Sequence, residues 1–207
     1  MNNIRLYRHP LSGHSHRAEL LLSLLGISAE LVDIDLAAGE HKAPDFLARN
    51  PLGQVPVLED GSAVITDSNA ILVYLARRYD SSNSWSPVEP GAAAEVQRFL
   101  SAAAGQLAYG PAAARLVNVF GAALDHKRAI EIAHNYLGSL ENHLMERDWL
   151  VTEKPTIADV ANYAYIAHAP EGDVSLSNYP NVVSWLRRLE AMPGFVAMRE
   201  TPVGLAA

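Results

Sequence analysis

The sequence GQVPVLEDGSAVITDSNAILVYL, residues 53–75, decides how the first part of the chain folds. Near its middle, Asp60-Gly61 lies between two short apolar runs, and this dipeptide is typical of the tight turn of a β-hairpin. Asp67 then precedes apolar residues at helical spacing, where an aspartate is a favourable N-terminal cap. The stretch therefore predicts a hairpin that leads directly into a helix over residues 67–79.

The residues before the hairpin predict further strands and helices in alternation. Pro10 ends a first strand, and Gly26 closes the helix that follows, since glycine is common just after a helix. The order of the predicted elements, β-α-β-α-β-β-α, indicates an α/β unit in the first eighty residues. The predicted elements are strands over 4–8, 30–36, 55–59 and 63–66, and helices over 15–25, 44–50 and 67–79.

The second part of the chain has a different character. Residues 80–91 are rich in serine and proline and have no periodicity, which is typical of a linker. Apolar residues between 129 and 144 recur every three or four positions, the pattern of one helix face. Thr156 and Asp159 have the spacing of a capping box that begins another helix. These features predict an all-α domain.

Composition limits the possible functions. The 207 residues are 49% hydrophobic and 19% charged, as in ordinary globular proteins, and their net charge is −7. An acidic chain without a basic run is a poor partner for nucleic acid or for an anionic membrane surface. No apolar stretch reaches the roughly 20 residues of a transmembrane helix, and the first residues lack the pattern of a secretory signal. We therefore expect a cytoplasmic protein.

The chain contains no cysteine, which excludes disulfides, zinc–thiolate sites and a cysteine nucleophile of its own. Any thiol chemistry must involve a thiol that a ligand brings. The glycine loops of nucleotide sites, the serine elbow of hydrolases and the zinc motif H-E-x-x-H are absent from the sequence. His9, His14 and His16 lie close together, but residues two apart on a helix face different ways, and we expect no metal site.

Three short segments carry polar groups at the start of a helix or strand. Ser12 and Ser15 begin a helix, where backbone N–H groups and the helix dipole stabilise an anion, although one of them is also needed as the cap. The tripeptide Q-V-P at residues 54–56 precedes a strand, so its proline is either an edge marker or a cis proline. Asp67 and Ser68 are either a simple cap or a carboxylate and hydroxyl that bind a ligand.

Taken together, these segments resemble those of a soluble glutathione transferase. The resemblance covers the full chain, from IRLYRHPLS through GEHKAPDFLARNPLGQVPVLEDG and DSNAILVYL to ADVANYAYI, and is greatest to serine-type, phi- or theta-like bacterial members. It implies a thioredoxin-like N-terminal domain of residues 1–80 that binds glutathione and a linker of residues 81–91. Residues 92–207 would form an all-helical domain that contributes the hydrophobic substrate site.

The resemblance also implies a glutathione site, residue by residue. Ser12 matches the catalytic serine, whose hydroxyl donates a hydrogen bond to the glutathione sulfur. His41 and Lys42 match positions that bind the glycine carboxylate of the tripeptide. Gln54, Val55 and Pro56 match positions that bind the cysteinyl part, and Pro56 is expected to be cis. Asp67 and Ser68 match positions that bind the γ-glutamyl end.

Two other hydroxyl groups compete with Ser12 for the sulfur. Tyr7 lies near the end of the first strand, where tyrosine-type transferases have their tyrosine. It falls one residue early in our alignment, and such an offset turns a side chain to the other face of the strand. Ser15 takes the role if the loop is threaded with a small shift. We favour Ser12 and keep both alternatives open.

The resemblance implies an enzyme that adds the glutathione thiolate to hydrophobic electrophiles and works as a homodimer. Glutathione would be a co-substrate, and no cofactor is expected. A glutathione-dependent peroxidase and a catalytically silent binding module of the same fold are the alternatives. By position, Leu11, Tyr109 and Arg115 are candidates for the hydrophobic-substrate site, whereas Val119 and Phe120 are better explained by helix packing.

Overall fold

The computed structural model describes residues 4–203, which form two compact units. The first unit consists of residues 4–82 together with 193–199, and the second of residues 83–192 together with 200–203. The sequence predicts that all of 92–207 belongs to the helical domain, so the place of residues 193–199 in the first unit differs from that expectation.

A four-stranded sheet forms the centre of the first unit. Its strands lie in the order β2-β1-β3-β4, with β1 parallel to β2, and with β1 and β3, and β3 and β4, antiparallel. This is the predicted β-α-β unit with a hairpin at its end. The strands are β1 (Ile4–Arg8), β2 (Glu30–Asp33), β3 (Val57–Asp60) and β4 (Ala63–Ile65).

Three helices flank this sheet, and side-chain caps set the beginning of two of them. Ser12 caps α1 (Gly13–Leu24), and Asp67 caps α3 (Ser68–Tyr79), each by accepting a hydrogen bond from the backbone N–H of the third residue of the helix. The sequence predicts the start of α1 at residue 15, but with Ser12 as the cap the helix begins at Gly13. The third helix, α2, is the short Pro44–Leu47 segment.

The two faces of the sheet bury different residues. Leu6 lies opposite Leu58 in the strand register, and both are fully buried. Tyr7 lies opposite Val57 on the other face and packs with Phe46 of α2. Helix α1 packs against β1 and α3. This α/β arrangement confirms the thioredoxin-like fold expected for the N-terminal domain.

Residues 193–199 belong to the first unit because they bond to α1. His16 Nε2 lies 2.8 Å from the carbonyl oxygen of Val196, and Ser23 Oγ donates to the carbonyl oxygen of Gly194 at 2.6 Å. Gly194 has a φ of +85°, and a Cβ there would lie 2.9 Å from the carbonyl oxygen of Ser23. Only a glycine fits this close approach without strain.

The second unit is helical, as predicted. Its helices are α4 (Pro90–Ala104), α5 (Ala113–Phe120), α6 (His126–His143), α7 (Ile157–Ala167) and α8 (Pro180–Glu190), with a π-helical turn at Ala108–Ala112. Helix α7 is buried along almost its whole length and forms the core. Within residues 4–203, no helix combines the length and apolar character needed to cross a membrane.

Polar side chains fix the starts of α7 and α8 in this unit. The predicted capping box is present: Thr156 caps α7, and Asp159 Oδ2 accepts from the backbone N–H of Thr156 at 2.8 Å. The other oxygen of Asp159 accepts from the indole N–H of Trp185 at 2.9 Å, which ties α8 to α7. Helix α8 has no cap of its own; the Glu141 carboxylate of α6 accepts its first N–H groups instead.

Candidate active site

The N-terminus of α1 carries the hydroxyl group of Ser12 at the end of β1. The Ser12 backbone is extended (φ −93°, ψ 115°), and its N–H donates to the His9 carbonyl oxygen at 3.0 Å, which closes the turn after the strand. Ser12 Oγ accepts from the Ser15 backbone N–H at 3.2 Å. The hydroxyl oxygen is thereby used as an acceptor, and its proton remains to donate to another group.

The two competing hydroxyl groups have other surroundings. Ser15 is only 1% exposed, and its Oγ accepts from the His9 backbone N–H at 3.2 Å, inside the turn that Ser12 closes. Tyr7 lies on the opposite face of the sheet from Leu6, and its hydroxyl donates to Glu59 Oε2 at 2.9 Å. An Arg49 guanidinium covers the Tyr7 ring. Neither geometry presents a hydroxyl at the surface beside the α1 N-terminus.

A second polar group lies where α1 meets the start of α3. Ser68 is buried, and its Oγ lies 3.2 Å from Arg17 Nη1 and 3.3 Å from His14 Nδ1. Arg17 Nη1 also donates to Asn69 Oδ1 at 2.7 Å. Asp67 is exposed, and one of its carboxylate oxygens caps the helix through the Ala70 N–H.

Sequence reasoning missed His14, Arg17 and Asn69 in this group. His14 and Arg17 are three apart on α1 and so share one helix face, and a buried arginine in an apolar helix is an unusual choice. That spacing was the available signal. What the sequence does not contain is the packing of α1 on α3, which brings this face to Ser68.

The pKa of His14 is strongly displaced. Burial of the imidazole, together with the nearby positive charge of Arg17, lowers its pKa to about 3. His14 is therefore neutral at physiological pH, and Arg17 carries the positive charge of this group.

A third group is formed by the loop residues that precede β3. Lys42 Nζ donates to the carbonyl oxygens of Leu52 and Gly53 at 3.1 and 3.2 Å, so the lysine holds the loop and keeps one N–H for another acceptor. Gly53 has a φ of +58°, and a Cβ there would lie 2.7 Å from the His41 carbonyl oxygen. The Nδ1 atom of His41 is buried and has no hydrogen-bond partner among residues 4–203.

The segment at residues 54–56 follows directly. Gln54 is exposed, and its carbonyl oxygen accepts from Asn50 Nδ2 at 2.8 Å. The peptide bond between Val55 and Pro56 is cis, as expected. Pro56 is buried at the start of β3, whereas Val55 is partly exposed.

The hydrophobic-substrate candidates need one correction. Arg115 is buried, and its Nε donates to Glu171 Oε2 at 2.6 Å. The expectation that Arg115 faces a substrate is therefore wrong: the guanidinium neutralises a buried carboxylate inside the second unit. Tyr109 is 69% exposed in the π-helical turn, and Leu11 is partly exposed beside Ser12. Phe120, which the sequence assigns to helix packing, is 46% exposed.

The polar groups of the first unit can bind a ligand that carries separated charges. A helix N-terminus with a hydroxyl donor suits an anionic atom, Asp67 suits an amino group, and Lys42 suits a carboxylate. All of these groups lie on the thioredoxin-like unit, and the helical unit follows it in the sequence.

Comparison with known proteins identifies the class. Residues 2–77 match the family model of the glutathione S-transferase N-terminal domain, and residues 97–193 match that of the C-terminal domain. Over 209 residues the chain is 32% identical to glutathione S-transferase 3 of Zea mays, covering 94% of this chain and 92% of the relative.

Solved structures agree. The glutathione S-transferase of Pseudomonas fluorescens is similar with a TM-score of 0.89 at 30% identity, covering 95% of this chain and 99% of the other. A glutathione transferase homologue from Drosophila mojavensis, solved with bound glutathione, is similar with a TM-score of 0.86 at 26% identity, covering 93% and 90%. The chain belongs to the glutathione S-transferase family and is a glutathione transferase enzyme.

Proposed function

We propose that this enzyme conjugates the thiolate of glutathione to hydrophobic electrophiles, and that the hydroxyl of Ser12 stabilises the thiolate. The position of Ser12 Oγ carries this proposal. It lies at the N-terminus of α1, accepts one hydrogen bond from the Ser15 N–H, and retains its proton as a donor.

The energy required of such a site is modest. A free thiol with a pKa of about 8.5 is only a few per cent ionised at pH 7, and lowering that pKa by about two units requires roughly 2.7 kcal/mol of preferential thiolate stabilisation. One hydrogen bond to a charged acceptor contributes about 1.5–3 kcal/mol, and a helix N-terminus adds about 0.3–1 kcal/mol. Together they suffice without a protein base.

The remaining polar groups fit the charges of the tripeptide. One Asp67 oxygen caps α3, which leaves the other for the γ-glutamyl amino group. At the opposite end of the ligand, the third N–H of Lys42 and the side chain of His41 would bind the glycine carboxylate. Between them, the backbone of Val55 and the side chain of Gln54 would bind the cysteinyl part. Pairing of each charge with its opposite favours one orientation of glutathione.

Apolar groups of the second unit are candidates for the electrophile. Tyr109 is the candidate that the sequence named, and it is 69% exposed; Phe120 and Leu124, 46% and 49% exposed, are further apolar side chains of this unit at the surface. Leu11 would add an apolar contact beside the sulfur. Glutathione is the co-substrate in this reaction, and no other cofactor is required. We further propose a cytoplasmic homodimer, in keeping with the family.

Substitution of Ser12 by alanine tests the mechanism. We expect Ser12→Ala to lower kcat/KM for glutathione with a chromogenic aryl halide by roughly ten- to a hundredfold, because the charge-assisted hydrogen bond is lost. The pKa of the bound thiol, read from thiolate absorbance against pH, should rise by about one to two pH units.

Ser15→Ala and Tyr7→Phe are the matched controls, since each removes a hydroxyl that is engaged elsewhere. Both should leave the pKa of the bound thiol close to that of the wild type. If Ser12→Ala keeps full activity while a control loses it, the hydroxyl is assigned to the wrong residue. A wild-type protein that neither conjugates nor binds glutathione would overturn the proposed reaction.

A further inference from the structure

An ion pair and an aromatic contact hold the short helix α2 on the sheet. Glu59 of β3 accepts from Arg49 Nε at 2.9 Å with one carboxylate oxygen and from the Tyr7 hydroxyl at 2.9 Å with the other. Phe46, the buried residue of α2, packs edge-on against the Tyr7 ring, with 6.4 Å between the ring centroids. Because a helix of four residues is not stable alone, such contacts determine where α2 lies on the sheet.

Arg49 also completes the C-terminal end of α2. In a regular α-helix the Arg49 N–H would donate to the carbonyl oxygen of Asp45, four residues earlier, but here it donates to that of Phe46 at 3.0 Å. The Asp45 carbonyl oxygen accepts from Arg49 Nη1 instead, at 2.7 Å. One guanidinium therefore bonds to the sheet through Nε and to the end of the helix through Nη1, which fixes α2 relative to β3.

The loop after α2 is built around the next residue, Asn50, which is 1% exposed. Its N–H donates to the Phe46 carbonyl oxygen at 2.9 Å, and its side-chain amide donates to the Gln54 carbonyl oxygen at 2.8 Å. Its own carbonyl oxygen accepts from the Gly53 N–H at 2.8 Å. Lys42 Nζ in turn donates to two carbonyl oxygens of this loop at 3.1 and 3.2 Å. A shift of α2 would therefore move the loop and, with it, the Lys42 ammonium group.

We propose that Arg49 and Glu59 are positioning residues, which hold Lys42 at the distance from Val55 that glutathione requires. This inference rests on the glutathione site proposed above, in which Val55 binds the cysteinyl part and Lys42 the glycine carboxylate. Val55 lies at the cis peptide bond that leads into β3, the strand that carries Glu59. The ion pair between Glu59 and Arg49 thus joins the two parts of the site, and neither of its side chains contacts the ligand.

The surroundings of the ion pair fit positioning better than stabilisation of the fold. The Arg49 and Glu59 side chains are 36% and 22% exposed. A pair that is partly exposed to water contributes little to the free energy of unfolding, so its removal should leave the unit folded. Its geometry is nevertheless well defined, because both carboxylate oxygens and two different nitrogens of the guanidinium are engaged.

Two thiols test the glycine end separately from the rest of the ligand. Dissociation constants are measured by calorimetry for glutathione and for γ-glutamylcysteine, which is glutathione without its glycine. For Arg49→Met, which removes the guanidinium but keeps an apolar stem, we expect glutathione to bind roughly three- to tenfold more weakly. γ-Glutamylcysteine should bind the variant and the wild type within about twofold of each other, because it ends one residue before the carboxylate that Lys42 binds.

A double-mutant cycle with Lys42 distinguishes positioning from a general loosening of the site. Lys42→Met should itself remove most of the preference for glutathione over γ-glutamylcysteine. In that background, Arg49→Met should change the affinity for glutathione by less than about twofold, since Arg49 acts through Lys42. Arg49→Lys keeps the charge but lacks the fork that bonds at two places, and should retain only part of the preference.

Two further variants complete the set. Glu59→Leu removes the same ion pair from the side of the sheet and should weaken glutathione binding alike, which keeps the proposal falsifiable if Arg49→Met does not fold. Arg5→Met is the matched control, because Arg5 lies in the same unit and pairs with Glu30 at 2.8 Å. Both dissociation constants of this control should stay within about twofold of the wild-type values.

The outcomes distinguish the two proposals. Equal weakening of both thiols by Arg49→Met, or an undiminished effect of Arg49→Met in the Lys42→Met background, would overturn the positioning role. A wild-type protein that binds neither thiol would overturn the proposed function itself.

Discussion

At the scale of single residues, the first unit combines groups that burial makes sensitive to pH. His14 is a partly buried imidazole whose pKa is lowered to about 3 by burial and by the charge of Arg17. In the unfolded chain the same group has its ordinary pKa of 6.5. Between these two values the unfolded chain binds a proton that the folded chain does not, so the free energy of unfolding falls as the pH falls.

This difference predicts a measurable pH dependence. Between pH 6.5 and 4.5, His14 should reduce the free energy of unfolding by at most about 1.4 kcal/mol for each pH unit of acidification. His14→Gln should remove this contribution, so that the urea midpoint of unfolding changes less with pH over that range. Equal slopes for wild type and variant would show that His14 titrates alike in both states.

Residue types alone predicted part of the site. Ser12 was recognisable as a cap beside a free helix end, and Asp67 as the cap of the next helix, because capping depends only on local sequence. The sequence did not reveal the contacts of Arg17, His14 and Asn69, because these contacts form where two helices separated by more than forty residues pack together. Arg115 was assigned to the substrate site by its position in the chain alone, and its buried partner Glu171, 56 positions away, could not be identified from the sequence.

At the scale of elements, the sequence pattern predicts which segments are strands and helices, but the pairing of strands in the sheet sets where the strands end. The strand predicted over 30–36 stops at Asp33, because its partner β1 ends at Arg8, which is paired with Asp33. The strand predicted from residue 55 begins at Val57, since Pro56 has no N–H to donate to a ladder. The capping box of α7 was predicted correctly from four adjacent residues.

Helix α8 shows a start that no local pattern could reveal. Its cap is Glu141, whose carboxylate accepts from the N–H groups of Asn181 and Val182 at 3.0 Å from 40 residues earlier in the chain. We expect Glu141→Ala to lower the free energy of unfolding by about 1–2 kcal/mol, as loss of a helix cap does. Thermal unfolding should shift down by about 2–4 °C for each kcal/mol.

Glu141→Gln is the informative companion, because the amide retains one oxygen acceptor while losing the charge that complements the helix dipole. Its stability should lie between those of wild type and Glu141→Ala. A variant Glu141→Ala with unchanged stability would mean that water caps α8 equally well.

At the scale of the whole molecule, the first unit extends to residue 82 and also includes a segment from near the other end of the chain. Residues 193–199 join the first unit through backbone carbonyl groups of Gly194 and Val196. A carbonyl group belongs to every residue, so no side-chain pattern marks this docking. The glycine was the only visible sign.

Gly194→Ala tests the docking of this segment. A Cβ would meet the Ser23 carbonyl oxygen at 2.9 Å in a left-handed conformation, with φ at +85°. We expect a loss of about 1–3 kcal/mol in the free energy of unfolding. Gly138→Ala is the matched control: it lies within α6 with nothing within 4 Å of the added Cβ, and should gain about 0.5–1 kcal/mol. The measurement is the urea midpoint of unfolding of each variant compared with that of the wild type; equal midpoints for Gly194→Ala and the wild type would contradict the prediction.

The docking of residues 193–199 also bears on the order in which a ribosome makes the protein. Helix α1 is synthesised near the beginning, yet the carbonyl groups that meet His16 and Ser23 emerge only after the whole of 83–192 has been translated. Until then, the imidazole of His16 is hydrated or contacts another group. The N-terminal unit therefore cannot form all of its contacts until residues 83–192 have been synthesised.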